Sequence, residues 1–220
     1  KFRDAVRRKW RFLCLLLLPA ILLAAAVTLV WWKHGSLVSR RLPEDKARVV
    51  SLMKEMDREH GYSPRTLLGI SALAVKLAAG TGDSVLLARV LLRRAGLFQS
   101  SEQSDSAILC YRSCLELATR LHKDSLVAKA KNGIANYYLR KEDYARAVLY
   151  LTEALKVSER CGYLHCNGLI YNGLGLVSIY QNRFDTAIAY FNKARAICIE
   201  IHDINNEAGI AMNIANCYVE

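Results

Sequence analysis

Much of this 220-residue chain repeats itself every 40 residues, and that echo constrains the fold more than any other feature. Ile134, Ala135, Asn136 and Tyr138 return as Ile214, Ala215, Asn216 and Tyr218, with Leu174 and Gly175 midway between them. Ala107, Ala147 and Ala187 share one register, and Ala74, Cys114, Ala154 and Ala194 share another. Gly82, His122, Gly162 and His202 form a third. Self-similarity at a period of this size marks a solenoid, in which each unit packs only on its neighbours. Several independent registers at one spacing speak against a helical bundle with accidental echoes. Repeat arrays serve as extended binding surfaces, so the pattern points to interaction and leaves the partner unnamed.

From Glu44 onward the apolar spacing is that of helices, with no strand-like alternation. The expected fold is all-α: a solenoid of antiparallel helix pairs over residues 44–220. Its units run over 44–83, 84–123, 124–163 and 164–203, with a partial unit at 204–220. Ser63 before Pro64 reads as a cap with proline in the first helical position. Asp83 and Asp124 stand beside helix starts, where capping carboxylates belong. The Gly/His register falls just past apolar helix ends, where the chain enters the left-handed region to stop a helix. His122 and His202 are therefore read as turn residues. Small residues at Ala147 and Ala187 let the two helices of a unit approach. Ala135, Gly175 and Ala215 give the first helix the same clearance, and Ile134, Leu174, Ile188 and Phe191 fill the space between units.

These residues resemble a family. Leu174-Gly175, Phe184, Ala187, Phe191 and Ala194 resemble the tetratricopeptide repeat signature, and Ile134-Ala135, Tyr138, Tyr144, Ala147 and Ala154 match it again. Ala95, Phe98, Ala107, Tyr111 and Cys114 form a weaker copy, with Arg94 where an aliphatic residue belongs. The period is 40 where the family's usual unit is about 34, which implies longer helices or longer turns. Such extended units resemble those of bacterial signalling proteins. These include peptide-sensing quorum regulators of Gram-positive bacteria. They also include Bacteroidetes-type proteins that place a repeat array before a membrane helix and a kinase or DNA-binding output.

The resemblance implies that the first helix of each unit lines a concave groove holding a peptide or protein partner. By register, one unit contributes Asn132, Asn136, Leu139 and Arg140. The next contributes Asn172, Leu176, Ile179 and Tyr180, and the partial unit Met212 and Asn216. An asparagine amide offers a donor and an acceptor to a peptide backbone. Some relatives grip a terminal carboxylate with basic residues on successive first helices. Lys129 fits that role, but Leu169 and Gly209 hold the same register and do not.

Phe12 to Trp32 is a run of 21 residues without a charge. As a helix it would span about 32 Å, enough for a hydrocarbon core of about 30 Å. Trp10, Trp31 and Trp32 flank it as interfacial anchors. The expectation is a transmembrane helix or signal anchor at 12–32, a basic cytoplasmic flank at 1–11 and a tether at 33–43. Six cations stand before the apolar run against the single Asp4, whereas Lys33 stands alone beside its end. This places the N-terminus in the cytoplasm and the repeats in the periplasm of a bacterial inner-membrane protein. A cleaved signal peptide is the alternative, since Ala24-Ala25-Ala26 supplies small residues for cleavage. The chain begins with Lys1 and stops partway through a unit, so a longer parent protein is expected.

The net charge of +11 is concentrated at the N-terminus and forms no basic stripe with interleaved aromatics, so no direct nucleic-acid binding is expected. No phosphate-cradling glycine motif or nucleophile elbow is present, and no cofactor, metal or catalytic residue is expected. Of the seven cysteines, most sit in helical pattern as small apolar residues. Cys161, His165 and Cys166 cluster locally, and free thiols, a disulfide and a metal site all remain open there. The functional expectation is a non-catalytic, membrane-anchored scaffold, the sensory or interaction region of a longer signalling protein. The alternatives are a soluble secreted adaptor and the accessory repeat region of an enzyme such as a histidine kinase.

Overall fold

The computed structural model describes residues 42–58 and 61–219. The expected basic flank 1–11, the expected membrane segment 12–32 and residues 33–41 of the expected tether lie outside the described residues. Among the described residues, all regular structure is helical, and no helix is long and apolar enough to cross a membrane. From Arg48 onward the described residues belong to one compact unit, which holds the helical repeats.

Helix α1 covers residues 42–56, so Leu42 and Pro43 are already helical rather than tether. It is followed by α2 (Pro64–Gly80), α3 (Ser84–Ser100), α4 (Ser104–Arg120) and α5 (Asp124–Arg140). Then come α6 (Tyr144–Arg160), α7 (Leu164–Tyr180), α8 (Phe184–Glu200) and α9 (Ile204–Cys217). Helices α2 to α8 each have 17 residues and are joined by three-residue turns. The 40-residue unit is therefore lengthened in its helices, not in its turns.

The turns explain how so regular a spacing is kept. The second residue of each is left-handed: Gly82 (φ 68°), His122 (51°), Gly162 (66°) and His202 (56°) between units. Glu102 (60°), Glu142 (59°) and Asn182 (56°) do the same within units. The next N–H then reaches back to a free carbonyl of the finished helix: Lys123 N to Ala118 O at 2.9 Å, Asp143 N to Tyr138 O at 2.9 Å and Asp203 N to Cys198 O at 2.8 Å. This closure satisfies the orphan carbonyls and reverses the chain. The same third residue caps the next helix where its side chain allows. Asp83 accepts from Leu86 N and Asp143 from Arg146 N, both at 3.0 Å. Ser63 caps α2 by accepting from Thr66 N at 3.2 Å. Asp124 is not a cap: it is the first residue of α5, and it pairs with Arg160 at 2.9 Å instead.

The small-residue registers lie where helices touch. Ala74, Cys114, Ala154 and Ala194 are all 0% exposed, as are Ala147 and Ala187. Burial pushes the Cys114 thiol up to about 12, as suits a sulfur used as a small apolar filler. Larger side chains, Ile134, Leu151, Ile170 and Phe191, fill the remaining volume and are themselves fully buried. Every sequential helix pair from α2 to α9 packs together. Beyond that, α3 touches α5, α5 touches α7 and α7 touches α9, whereas no two even-numbered helices meet. The odd-numbered helices are thus crowded on the inner side of the array, and their exposed faces form its concave surface.

Candidate functional site

A cavity of about 480 Å³ lies on that inner surface. Helix α3 supplies Leu92, Arg93, Gly96, Leu97 and Ser100, and α5 supplies Lys129, Asn132, Gly133 and Asn136. His165, Cys166 and Leu169 come from α7, Tyr111 from α4, Met56 from the end of α1 and Asp57 from the turn after it. The spacing of the α5 contributors is that of one helical face. Glycine opens the space at two points. Gly96 has nothing within 4 Å of where a Cβ would stand, and at Gly133 a Cβ would overlap the ring of Tyr111.

A second cavity of about 290 Å³ continues along the array, sharing His165 and Leu169 with the first. It is rich in amides: Asn172 from α7 and Asn205, Asn206 and Asn213 from α9 line it with Met212. Asn213 donates to Asn172 Oδ1 at 3.2 Å, which fixes one amide across the α7–α9 step. His165 Nδ1 lies 3.5 Å from Asp203 Oδ2. The side chain and backbone N–H of Asn206 hold the Asp203 carboxyl below the usual range, with a smaller contribution from His165.

Several polar and titratable groups of this groove are engaged by neighbours or shifted by burial. Arg93 and Asp57 pair at 2.7 Å on the rim. Lys129 Nζ sits 4.8 Å over the Tyr163 ring. Burial pushes the Cys166 thiol up to about 11 and raises Cys198 as well, so both are driven away from the reactive thiolate. Burial likewise takes the Tyr111 phenol to about 12. Asn132 is only 9% exposed, and its buried Oδ1 has no hydrogen-bond partner, as is also true of Asn167 outside the two cavities. An unsatisfied buried acceptor costs about 1–3 kcal/mol, a penalty relieved by any N–H brought to it.

Of the residues expected in the groove, Asn132 and Asn136 line the first cavity, and Asn172 and Met212 line the second. The other six line neither. Leu139 packs half-buried against the main core, and Leu176 and Ile179 pack on the cluster around Phe191. Arg140 donates to the Gln99 carbonyl at 3.1 Å, beside Tyr111 and Tyr137. Tyr180 stacks on Tyr144 with ring centroids 5.3 Å apart, and Asn216 is exposed. The register places Leu139, Leu176 and Ile179 on the shoulder of the groove, where apolar side chains turn into the helix interface. Sequence reasoning missed Leu92, Arg93 and Gly96. Stepping back 40 residues from Asn132, Gly133 and Asn136 would have found all three.

Cys161 is exposed and donates to the Ser158 carbonyl at 3.4 Å, whereas Cys166 is buried, and both are free thiols. Among the described residues no cluster of three or more His, Cys, Asp or Glu is placed to hold a metal.

Comparison with known proteins agrees with this architecture. Family models described as tetratricopeptide repeat match residues 71–160 and 169–195, together more than half of the chain. The chain belongs to the tetratricopeptide repeat family. The crystal structure of BtubC (BKLC) from P. vanneervenii has a similar fold. Its TM-score is 0.65 at 21% sequence identity, with 83% of this chain and 81% of that chain covered. No curated protein matches the chain. As in other tetratricopeptide repeat arrays, the first helices of the units form the inner surface, and the two cavities follow it.

Proposed function

We propose that this tetratricopeptide repeat array is a non-catalytic scaffold that holds an extended peptide segment of a protein partner in its concave groove. The unsatisfied Oδ1 of Asn132 in the wall of the larger cavity carries this reading. A peptide N–H is the donor that fits such a site, and Asn136 and Asn172 extend the same chemistry along the groove. The apolar run 12–32 supports a further element of the reading: a single membrane anchor, repeats on the periplasmic side and relay of the bound state to downstream regions. The small residues Ala24-Ala25-Ala26 favour a second reading, a secreted adaptor released by cleavage.

Selection of peptides on the immobilised chain, followed by titration of the winners against Asn132→Ala, tests the groove. Binding is expected to fall about tenfold or more while stability changes by no more than about 1 kcal/mol, because the substitution also removes an unsatisfied acceptor. Equal binding by the variant would remove the basis of the reading. For the anchor, carbonate extraction should leave the intact chain in membranes, and its release would favour the adaptor. A reporter fused after Gly35 that works only in the cytoplasm would reverse the topology.

A further inference from the structure

Away from the groove, a hollow of about 340 Å³ is lined by Arg112 of α4, Tyr137 and Tyr138 of α5, Lys141 and Asp143 of the following turn, and Arg146 of α6. Two tyrosine rings hold its cations in place. The Arg146 guanidinium lies 4.5 Å over the Tyr138 ring, and Lys141 Nζ lies 5.7 Å over Tyr137. Arg112 Nη2 donates to the Tyr138 hydroxyl at 3.2 Å, and Tyr138 is braced from behind by stacking on Tyr150 at 5.6 Å. Cation–ring contacts of this kind hold long side chains that would otherwise sample many rotamers.

The charge is not balanced from within. Three cations line the hollow against one carboxylate, Asp143. That carboxylate is committed: the backbone N–H and the side chain of Arg146 both bond to it and hold it below the usual range. Asp105 at the rim accepts from the Tyr137 hydroxyl at 3.2 Å and lies 3.7 Å from Lys141. Its side chain is 84% exposed, so little holds it there. Arg112 meets the neutral Tyr138 hydroxyl instead of a carboxylate.

The repeat does not call for this cluster. One unit on, Arg112, Tyr137, Tyr138, Lys141 and Arg146 are replaced by Thr152, Val177, Ser178, Gln181 and Thr186. One unit back they are Ala72, Leu97, Phe98, Ser101 and Ser106. Those units fold with the same helices and turns, so the cations are not there to build the solenoid.

We propose that this hollow binds a phosphomonoester dianion. Arg112, Lys141 and the N–H groups of Arg146 that Asp143 does not take line one space, and such groups suit a tetrahedral oxyanion. A phosphomonoester carries about −1.5 to −2 near neutral pH, and the lining residues carry an excess of two positive charges, or one with Asp105 at the rim counted. The same chemistry is presented by a phosphorylated protein side chain and by free phosphate.

Calorimetric titration of the full chain separates these, with inorganic phosphate, phenyl phosphate, a short phosphotyrosine peptide and its unphosphorylated form as probes. Ionic strength is held constant with sodium chloride. Saturable binding of the phosphorylated probes is expected, with none for the unphosphorylated peptide. Arg112→Gln and Arg146→Gln should each weaken it about tenfold, the scale of one lost charge-assisted hydrogen bond. Lys156→Gln, an exposed change on α6 outside the hollow, should not affect it. Tighter binding of the phosphopeptide than of inorganic phosphate assigns the site to a modified protein, and equal binding assigns it to free phosphate. The proposal is overturned if no phosphorylated probe saturates, or if both arginine variants bind as the unaltered chain does while circular dichroism shows them folded.

Discussion

Gly175→Ala adds a single methyl group, and the packing of this chain makes its effect run against intuition. Inside a helix, alanine is favoured over glycine by about 1 kcal/mol, so propensity alone predicts a more stable protein. At Gly175, however, the new Cβ would stand 2.5, 2.6 and 2.8 Å from three ring atoms of Phe191. Carbon atoms rest at about 3.5–4.0 Å, so the ring would have to retreat by about 1 Å. Phe191 is 0% exposed within a buried cluster that includes Ile210 and Cys217, so the ring cannot retreat into solvent. Overpacking of this kind costs about 1–3 kcal/mol, and the tight geometry places it at the upper end. The net expectation is a loss of about 1–2 kcal/mol, or a few degrees in melting temperature for a domain of this size. Gly69→Ala is the control. Gly69 also lies within a helix, but nothing stands within 4 Å of its Cβ position, so a gain of about 1 kcal/mol is expected. One unit back, the positions of Gly175 and Phe191 are held by Ala135 and Leu151. The double variant Gly175→Ala/Phe191→Leu copies that pair, so its loss should be smaller than the sum of the single losses by about 0.5–3 kcal/mol. Thermal and urea unfolding followed by circular dichroism read all five proteins: the unaltered chain, Gly175→Ala, Phe191→Leu, the double variant and Gly69→Ala. If Gly175→Ala raises stability as Gly69→Ala does, close contact at this register is refuted.

The remaining expectations concern other registers. Ala187→Leu should destabilise by about 1–3 kcal/mol, because Ala187 is 0% exposed. Ala189→Leu, on the exposed side of the same helix, should change little, and equal melting temperatures would break the assignment of faces. His122 is left-handed at φ 51°, so His122→Gly should stabilise by about 0.5–1 kcal/mol in the same unfolding assay. Asn136→Ala and Asn172→Ala should weaken a peptide selected on the chain, the first leaving unfolding within about 0.5 kcal/mol and the second, which loses the bond from Asn213, costing up to about 1.5 kcal/mol, and undiminished binding by both would count against the groove.

The fold was legible because the features that build it recur. Small residues at 74, 114, 154 and 194 appear in sequence as a period and in space as contacts with no room for more. The Gly/His register was readable for the same reason, since glycine draws attention to a left-handed position and histidine at the same spacing inherits the reading. The intra-unit turns were readable from the helix breaks, but their left-handed residues, Glu102, Glu142 and Asn182, were not, because no glycine marks them. Leu139, Leu176 and Ile179 were placed in the groove by register, but a register fixes an angle around the helix only to within a residue or so. At the edge of the buried stripe, an apolar side chain turns inward.

The same logic explains why the location of the groove could be read while its ligand could not. Positions 92, 132, 172 and 212 occupy one register on the inner helices and read Leu, Asn, Asn and Met. Positions 89, 129, 169 and 209 read Arg, Lys, Leu and Gly. Packing does not dictate these residues, so they drift from unit to unit while the small-residue registers hold. The drift has a direction: amides line both cavities, but the cations Arg93 and Lys129 line only the first, on α3 and α5, with His165 and Leu169 where the two cavities join. A ligand lying along the array would therefore meet a different chemistry at each end. A chain reversed in the groove would set its acidic or polar groups against the wrong partners. Direction of binding is in this way written into the positions the repeat leaves free, and those are the positions at which a periodic sequence is least periodic.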